Sequence, residues 1–157
     1  MSAHLIYDTA PIGALVAWSA GTPQPPARFM RKLSAWQTNN SRGRLVRKEG
    51  ERGMGNVTLS ASFTLHEADH GDGGVIAVRV YRTFSLASTL RFAILERPAL
   101  WSVRVFDGPG EGAELVHLAP DRQAAEEWLS RHGYPRAVLV EVSADEVGAD
   151  IVEGRAA

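Results

Sequence analysis

Residues 66–72 hold the densest group of metal-binding and acid–base side chains in the sequence. The segment runs His-Glu-Ala-Asp-His-Gly-Asp, so two imidazoles and three carboxylates fall within seven positions. Imidazole and carboxylate are ligands for Zn²⁺ or for a harder cation. The segment lies between two strand-like runs, so we interpret it as a polar hairpin loop, for which a solvated turn is the favoured alternative. The metal candidates are His66, Glu67, Asp69 and His70.

A basic segment at residues 28–52 carries eight Lys and Arg against two Glu, a balance of +6 in a chain of net charge −1. Residues 107–157 are its counterpart, with eleven acidic and four basic residues and a balance of −7. Crowded like charges repel unless an anionic partner or an acidic surface of the same chain offsets them. The segment predicts a surface for an acidic protein or a nucleic acid, with pairing to the acidic half or solvation as the alternative. The candidate partner-binding residues are Arg28, Arg31, Arg42, Arg44, Arg47 and Lys48.

The composition removes several kinds of chemistry. The chain has no cysteine, which excludes disulfides, thiolate metal sites and cysteine nucleophiles. The Gly-x-Gly patterns at 53–55 and 108–112 lack the strand, turn and helix that a dinucleotide loop needs, and neither a Gly-x-Ser-x-Gly elbow nor a Walker lysine loop occurs. We therefore predict no cofactor from these motifs.

Length and composition predict one globular domain over residues 1–157, with 145–157 as a frayed tail. Arginine outnumbers lysine 15 to 2, a bias typical of a GC-rich bacterial genome. The first twenty residues lack a basic start and contain Asp8 and Pro11, which does not fit a signal peptide. No apolar run reaches the roughly 18 residues of a membrane span. We expect a cytoplasmic bacterial protein without a membrane partner.

The elements that must position these residues follow from hydrophobic periodicity. Residues 57–66 alternate apolar and polar side chains, which predicts a half-buried strand, and residues 75–84 return as its hairpin partner. We predict an α+β fold, a single domain with a mostly antiparallel twisted sheet and about two helices. Further strands are predicted at 4–7, 12–18, 90–96, 101–106 and 137–142, and the helices near 25–36 and 120–132.

Two apolar stripes mark the helices. Phe29, Met30, Leu33 and Trp36 form the first stripe, which we interpret as core in preference to a binding face. The second stripe includes Trp128, which we predict to be core together with Phe63 of the alternating strand.

Residues 114–146 run as strand, helix and strand, with His117-Leu118-Ala119 ending the first strand and Arg131-His132-Gly133 ending the helix. This segment resembles the RNA 2′-phosphotransferase branch of the ADP-ribosyltransferase fold, in which a strand ends in His-Leu-Ser and a helix in Arg-His-Gly. The resemblance implies NAD as cofactor and makes Arg82, His117 and Arg131 the catalytic candidates. The chain lacks that family's His-Gly-Thr and its Asn-Gly-Val-Trp strand, so the implied relative is either an active enzyme or one that has lost activity.

Together these patterns favour a non-catalytic macromolecule-binding protein, an accessory, regulatory or inhibitor protein of a bacterium such as those carried by mobile elements. The expected partner is another protein. Nucleic-acid binding through residues 28–52, with Trp36 or Phe29 as stacking groups, is one alternative. An ADP-ribosyltransferase-like enzyme is the other, and NAD is expected only with it.

Overall fold

Three antiparallel sheets, of five, three and two strands, make up the fold in the computed structural model, which describes residues 1–147. The chain divides into two units, Met1–Arg97 and a second unit that begins at Pro98. Every strand pair among residues 1–147 is antiparallel, which confirms the α+β, mostly antiparallel prediction. The helices are more numerous than the two expected, since residues 1–147 contain three helices and a further helical turn at 144–147. Most of the predicted frayed tail, residues 148–157, lies outside the described residues.

The first unit contains a five-stranded and a two-stranded sheet. Its elements are α1 (Ala3–Thr9), β1 (Leu15–Ser19), α2 (Met30–Thr38), β2 (Asn40–Glu49), β3 (Arg52–Met54), β4 (Val57–Leu59), β5 (Ser62–Asp72), β6 (Val75–Ser85) and β7 (Arg91–Glu96). The strand order of the large sheet is β6-β5-β2-β1-β7, and β3 pairs with β4.

No helix among residues 1–147 is long and apolar enough to span a bilayer.

The run at 4–7, predicted as a strand, is part of α1. The Ser2 side chain caps this helix by accepting a hydrogen bond from the Leu5 backbone N–H at 3.2 Å. Ala3 and Ile6 are fully buried in the core, because their spacing of three places both on one helical face. A four-residue apolar run fits a strand and a helix equally well, so periodicity could not decide between them.

The ten-residue alternating run is divided between two strands. Residues 57–59 form β4 and pair with β3, and the chain enters the large sheet only at Ser62. Beyond this break the prediction holds, because Phe63 is fully buried. The hairpin with β6 turns at Gly73 and Gly74 alone, both of which have positive φ as the tight two-residue turn requires. Residues 66–72, predicted as a loop, are therefore strand.

The elements of the second unit are β8 (Val103–Phe106), β9 (Leu115–Ala119), α3 (Arg122–Ser130) and β10 (Val138–Glu141). The three strands form a sheet in the order β10-β8-β9, and α3 packs against it. The central strand is β8, whose Val103 and Val105 are fully buried. The strand predicted at 137–142 is the edge strand β10, half-buried or exposed along its length.

Candidate functional site

Helix α2 displays the apolar stripe that was predicted to be core. None of its residues is buried, and Met30 leaves 79% of its surface exposed. The Phe29 ring, just before the helix, is 42% exposed and lies under two cations, with Arg28 Cζ 4.8 Å and Lys32 Nζ 5.4 Å from its centroid. The core prediction for this stripe was wrong, because spacing identifies an apolar face but not whether anything packs on it.

The C-terminal half of α2 is held to the first unit by hydrogen bonds to its backbone and from its tryptophan. The Trp18 indole N–H donates to the Thr38 carbonyl at 3.0 Å, and the Asn40 amide donates to the Trp36 carbonyl at 2.8 Å. The Trp36 indole N–H donates to the Thr22 carbonyl at 2.9 Å. These contacts fix one end of the helix, so Phe29 and Met30 are presented at its other end.

The basic residues of β2 point to both faces of the five-stranded sheet. We call the side that carries Phe63 and Leu65 the packed face and the opposite side the open face. Lys48 lies opposite Phe63, and its ammonium donates to the Tyr7 carbonyl at 2.6 Å. Burial lowers the pKa of Lys48, an effect that the nearby Asp8 carboxylate partly opposes. Lys48 is thus part of the packing of α1 rather than of an external patch.

Arg44 lies on the open face and reaches across β1. Its Nη1 donates to the Gly13 carbonyl at 2.6 Å and lies 3.6 Å from a Glu96 carboxylate oxygen on β7. Arg52 Nη1 lies 3.6 Å from a carboxylate oxygen of Glu49, three residues earlier in the chain. Acidic residues of the first unit therefore offset part of the basic segment.

The six predicted partner-binding residues occupy three places. Arg28 and Arg31 belong to the α2 region and Lys48 to the packed face. The three arginines of β2 share the open face, because each is paired in register with a residue of that face. These three are Arg42, Arg44 and Arg47.

The open face carries polar side chains in rows across neighbouring strands. One row runs from Tyr81 through His66 to Arg44, and the next from Thr83 through Thr64 to Arg47. The register places five arginines and three carboxylates on this face. They are Arg42, Arg44, Arg47, Arg79 and Arg91, with Glu49, Asp69 and Glu96.

Two of the metal candidates meet on the open face. A bulge after His66 shifts the alternation of β5, so that His66 and Asp69 share a side and His66 Nε2 lies 2.6 Å from Asp69 Oδ1. Glu67 lies instead 3.2 Å from Arg82 Nε. His70 pairs with Val78, on the face opposite to His66.

Residues 66–70 have the His-Glu-x-x-His spacing by which a helix turns two imidazoles toward one zinc ion. The spacing works because positions four apart share a face of a helix. Here the segment is a strand, and its bulge puts His66 and His70 on opposite faces. Within residues 1–147, no group of three or more His, Cys, Asp or Glu residues is placed to hold a metal ion.

The transferase candidates belong to different units. Arg82 is on β6 of the first unit, whereas His117 on β9 and Arg131 after α3 are in the second. The His117 ring stacks on the Trp128 ring, with the ring centroids 4.6 Å apart and an interplanar angle of 2°. Burial lowers the pKa of His117, and the charge of His132 lowers it further. Arg131 Nε donates to the Glu127 carbonyl at 3.3 Å.

Trp128 is half-buried rather than fully enclosed, although it packs against the core of its unit. Its ring stacks on His132 at 3.9 Å and on Tyr134 at 5.6 Å in addition to His117. This aromatic cluster and Tyr81 of the open face were missed in the sequence. For Tyr81 a signal existed, because it falls in the alternating phase of β6 opposite His66.

The described residues define an α+β protein with three antiparallel sheets and an exposed basic helix. Residues 1–146 match the family described as Uncharacterised conserved protein UCP036055, and the chain belongs to this family. No curated protein and no solved structure matches the chain.

Proposed function

We propose that the protein is a non-catalytic binding protein, accessory, regulatory or inhibitory in role, that binds an acidic protein partner through α2 and the two residues before it. One observation carries this proposal: Met30 is 79% exposed at the start of a helix that buries none of its own residues, and Phe29 just before it is 42% exposed. Large apolar side chains presented together on a protein surface mark sites of interaction. A partner with an apolar groove would remove both from water.

The basic residues around Phe29 and Met30 indicate which charges surround the groove of the partner. Residues 28–32 contain Arg28, Arg31 and Lys32 and no acidic residue. Two of these cations already lie over the Phe29 ring. A complementary partner therefore has acidic residues around an apolar groove, and Met and Arg are side chains that protein interfaces favour.

A protein suits this helix better than a nucleic acid does. Lys48 and Arg44 hold α1 and β7 within the first unit, so the basic segment does not form one continuous cationic stripe with α2. Binding to a duplex relies on many phosphate contacts, whereas burial of Met30 contributes little against phosphates. An acidic protein groove uses both the charges and the apolar side chains.

The test is a comparison of variants in a pull-down from the organism that encodes the protein, after nuclease treatment. Wild type, Met30→Asp and Arg28→Glu/Arg31→Glu are the baits, and Arg122→Glu on α3 is the matched charge-reversal control. We expect an acidic protein captured by wild type and the control and lost from both α2 variants. Calorimetry on the purified pair should then show at least a tenfold loss of affinity for the partner in Met30→Asp. Equal capture by all four baits, or loss of the partner on nuclease treatment, would contradict the proposal.

A further inference from the structure

We infer that the open face of the five-stranded sheet binds single-stranded nucleic acid, with Tyr81 as the ring on which a base stacks. This site is separate from α2, so it stands or falls independently of the protein partner proposed above. It rests on three features of the face: the exposed Tyr81 ring beside His66, arginines along one strand, and threonine hydroxyls in the row next to the aromatic pair.

The aromatic pair is formed by Tyr81 and His66 on adjacent strands. Their ring centroids are 5.3 Å apart, and Tyr81 remains 38% exposed. His66 is held on its other side by Asp69, whose Oδ1 lies 2.6 Å from His66 Nε2. A ring held in this way at the surface of a sheet is a platform for an unstacked base, since every base has a π-face.

The arginines lie beside that platform. Arg42 and Arg47 lie on β2 on either side of Arg44, which is in the same row as His66 and Tyr81. Arg44 already donates to the Gly13 carbonyl and lies near Glu96. Five arginines against three carboxylates leave the face with a net positive charge. Guanidinium groups match phosphate geometry with two hydrogen bonds, so a backbone running along β2 would be held there.

Hydroxyl groups occupy the next row. Thr64 Oγ1 and Thr83 Oγ1 lie 2.9 Å apart, between Arg47 and the outer edge of the sheet. Hydroxyls both donate and accept, so they can bond base edges or sugar hydroxyls without selecting one base. The three features together predict binding with little sequence preference.

A single strand fits this surface better than a duplex or an acidic protein does. Readout of a duplex needs a helix or a ribbon that enters a groove, whereas a sheet face meets splayed bases directly. An acidic peptide would satisfy the arginines but gains nothing from Tyr81 stacking. The tyrosine ring is therefore the feature by which the occupants can be told apart.

The experiment measures fluorescence anisotropy of labelled 12-mer oligo(U) and oligo(dT), a 12-bp duplex, and poly-glutamate of equal length, at several salt concentrations. The proteins are wild type, Tyr81→Ala, Tyr81→Phe, Arg42→Ala, and the α2 variant Arg28→Glu/Arg31→Glu, each checked for an unchanged circular dichroism spectrum. Tyr81 and Arg42 are exposed, so these substitutions leave the core intact.

We expect micromolar binding of a single strand, weakened about 5- to 100-fold by Tyr81→Ala and retained in Tyr81→Phe. Arg42→Ala should reduce the slope of log affinity against log salt by about 0.7. The α2 variant should bind nearly as wild type does. Absence of binding, equal binding of poly-glutamate, preference for the duplex, or loss only in the α2 variant would each overturn the assignment.

Discussion

Helices α2 and α3 are each nine residues long and each carries an apolar stripe, yet only α3 uses its stripe for folding. Ala125 of α3 is fully buried, and Trp128 and Leu129 pack against the same core. In α2 nothing is buried and Met30 projects into solvent. The same local pattern thus produces a structural element in one unit and a presented surface in the other.

The two helices also differ at their first turn. Asp121 caps α3 by accepting a hydrogen bond from the Ala124 backbone N–H at 2.8 Å, whereas Phe29 stands at the cap position of α2 without a side-chain hydrogen bond. A carboxylate at this place also suits the helix dipole. The α2 end that carries Phe29 and Met30 is therefore the less stabilised one, and we infer that contact with a partner supplies what a cap and a core supply to α3.

The largest expected effect comes from truncating one large side chain in each stripe. Trp128→Ala should lower the free energy of unfolding by about 2–4 kcal/mol, below the full cost of a completely buried tryptophan because part of its ring stays in water. Met30→Ala should change it by less than about 0.5 kcal/mol. Urea unfolding followed by circular dichroism measures both. An equal loss of stability in the two variants would contradict the conclusion that only α3 uses its apolar stripe for folding.

An intermediate effect is expected from the cap. Asp121→Ala should cost about 1 kcal/mol, because the Ala124 N–H at the first turn of α3 loses its partner. Phe29→Ser, which offers α2 a capping hydroxyl, should leave stability unchanged or raise it slightly, since no core contact is removed. Thermal melts of both variants test this. A marked loss in Phe29→Ser would show that Phe29 is structural and would weaken its assignment to a binding surface.

The smallest effect concerns pH. Burial and the charge of His132 lower the pKa of His117 in the folded protein, so below the ordinary histidine pKa of about 6.5 the unfolded chain takes up the proton more readily. The contribution of His117 is therefore complete above that pH and is lost as the pH falls. His117→Gln should flatten the decline in urea midpoint between pH 7.5 and 5, relative to wild type. Met30→Ala should keep the wild-type slope, and an unchanged slope in His117→Gln would count against this account.

Much of the fold followed from local pattern. The alternation around Phe63 and the turn residues Gly73 and Gly74 specify a hairpin, because strand period and positive-φ turns are short-range properties. The cap of α3 is equally local, because Asp121 accepts from a backbone N–H only three residues along the chain. The run at 4–7 was not, since it is too short to separate helix from strand, and the division of residues 57–66 depended on which partner each half meets.

The candidate sites depended on tertiary structure to a greater degree. Residues 66–70 have the order of a zinc-binding helix, but pairing with β6 makes them a strand, and one bulge separates His66 from His70. The same pairing brings Tyr81, fifteen residues away in the chain, beside His66. The alternation of β6 indicates the face on which Tyr81 lies, but no local pattern shows which residue of β5 is opposite it, because bulges shift the register.

The sequence by itself determined the class of the fold, most of its strands, the absence of cysteine chemistry and the presence of a basic segment. These are properties of composition and of short-range periodicity, which each stretch carries without reference to the rest. Only the tertiary structure decided which arginines share the open face, that Lys48 supports α1, and that Met30 is exposed while Ala125 is buried. Burial and side-chain proximity arise between segments distant along the chain, so they are set when the strands pair and the cores close.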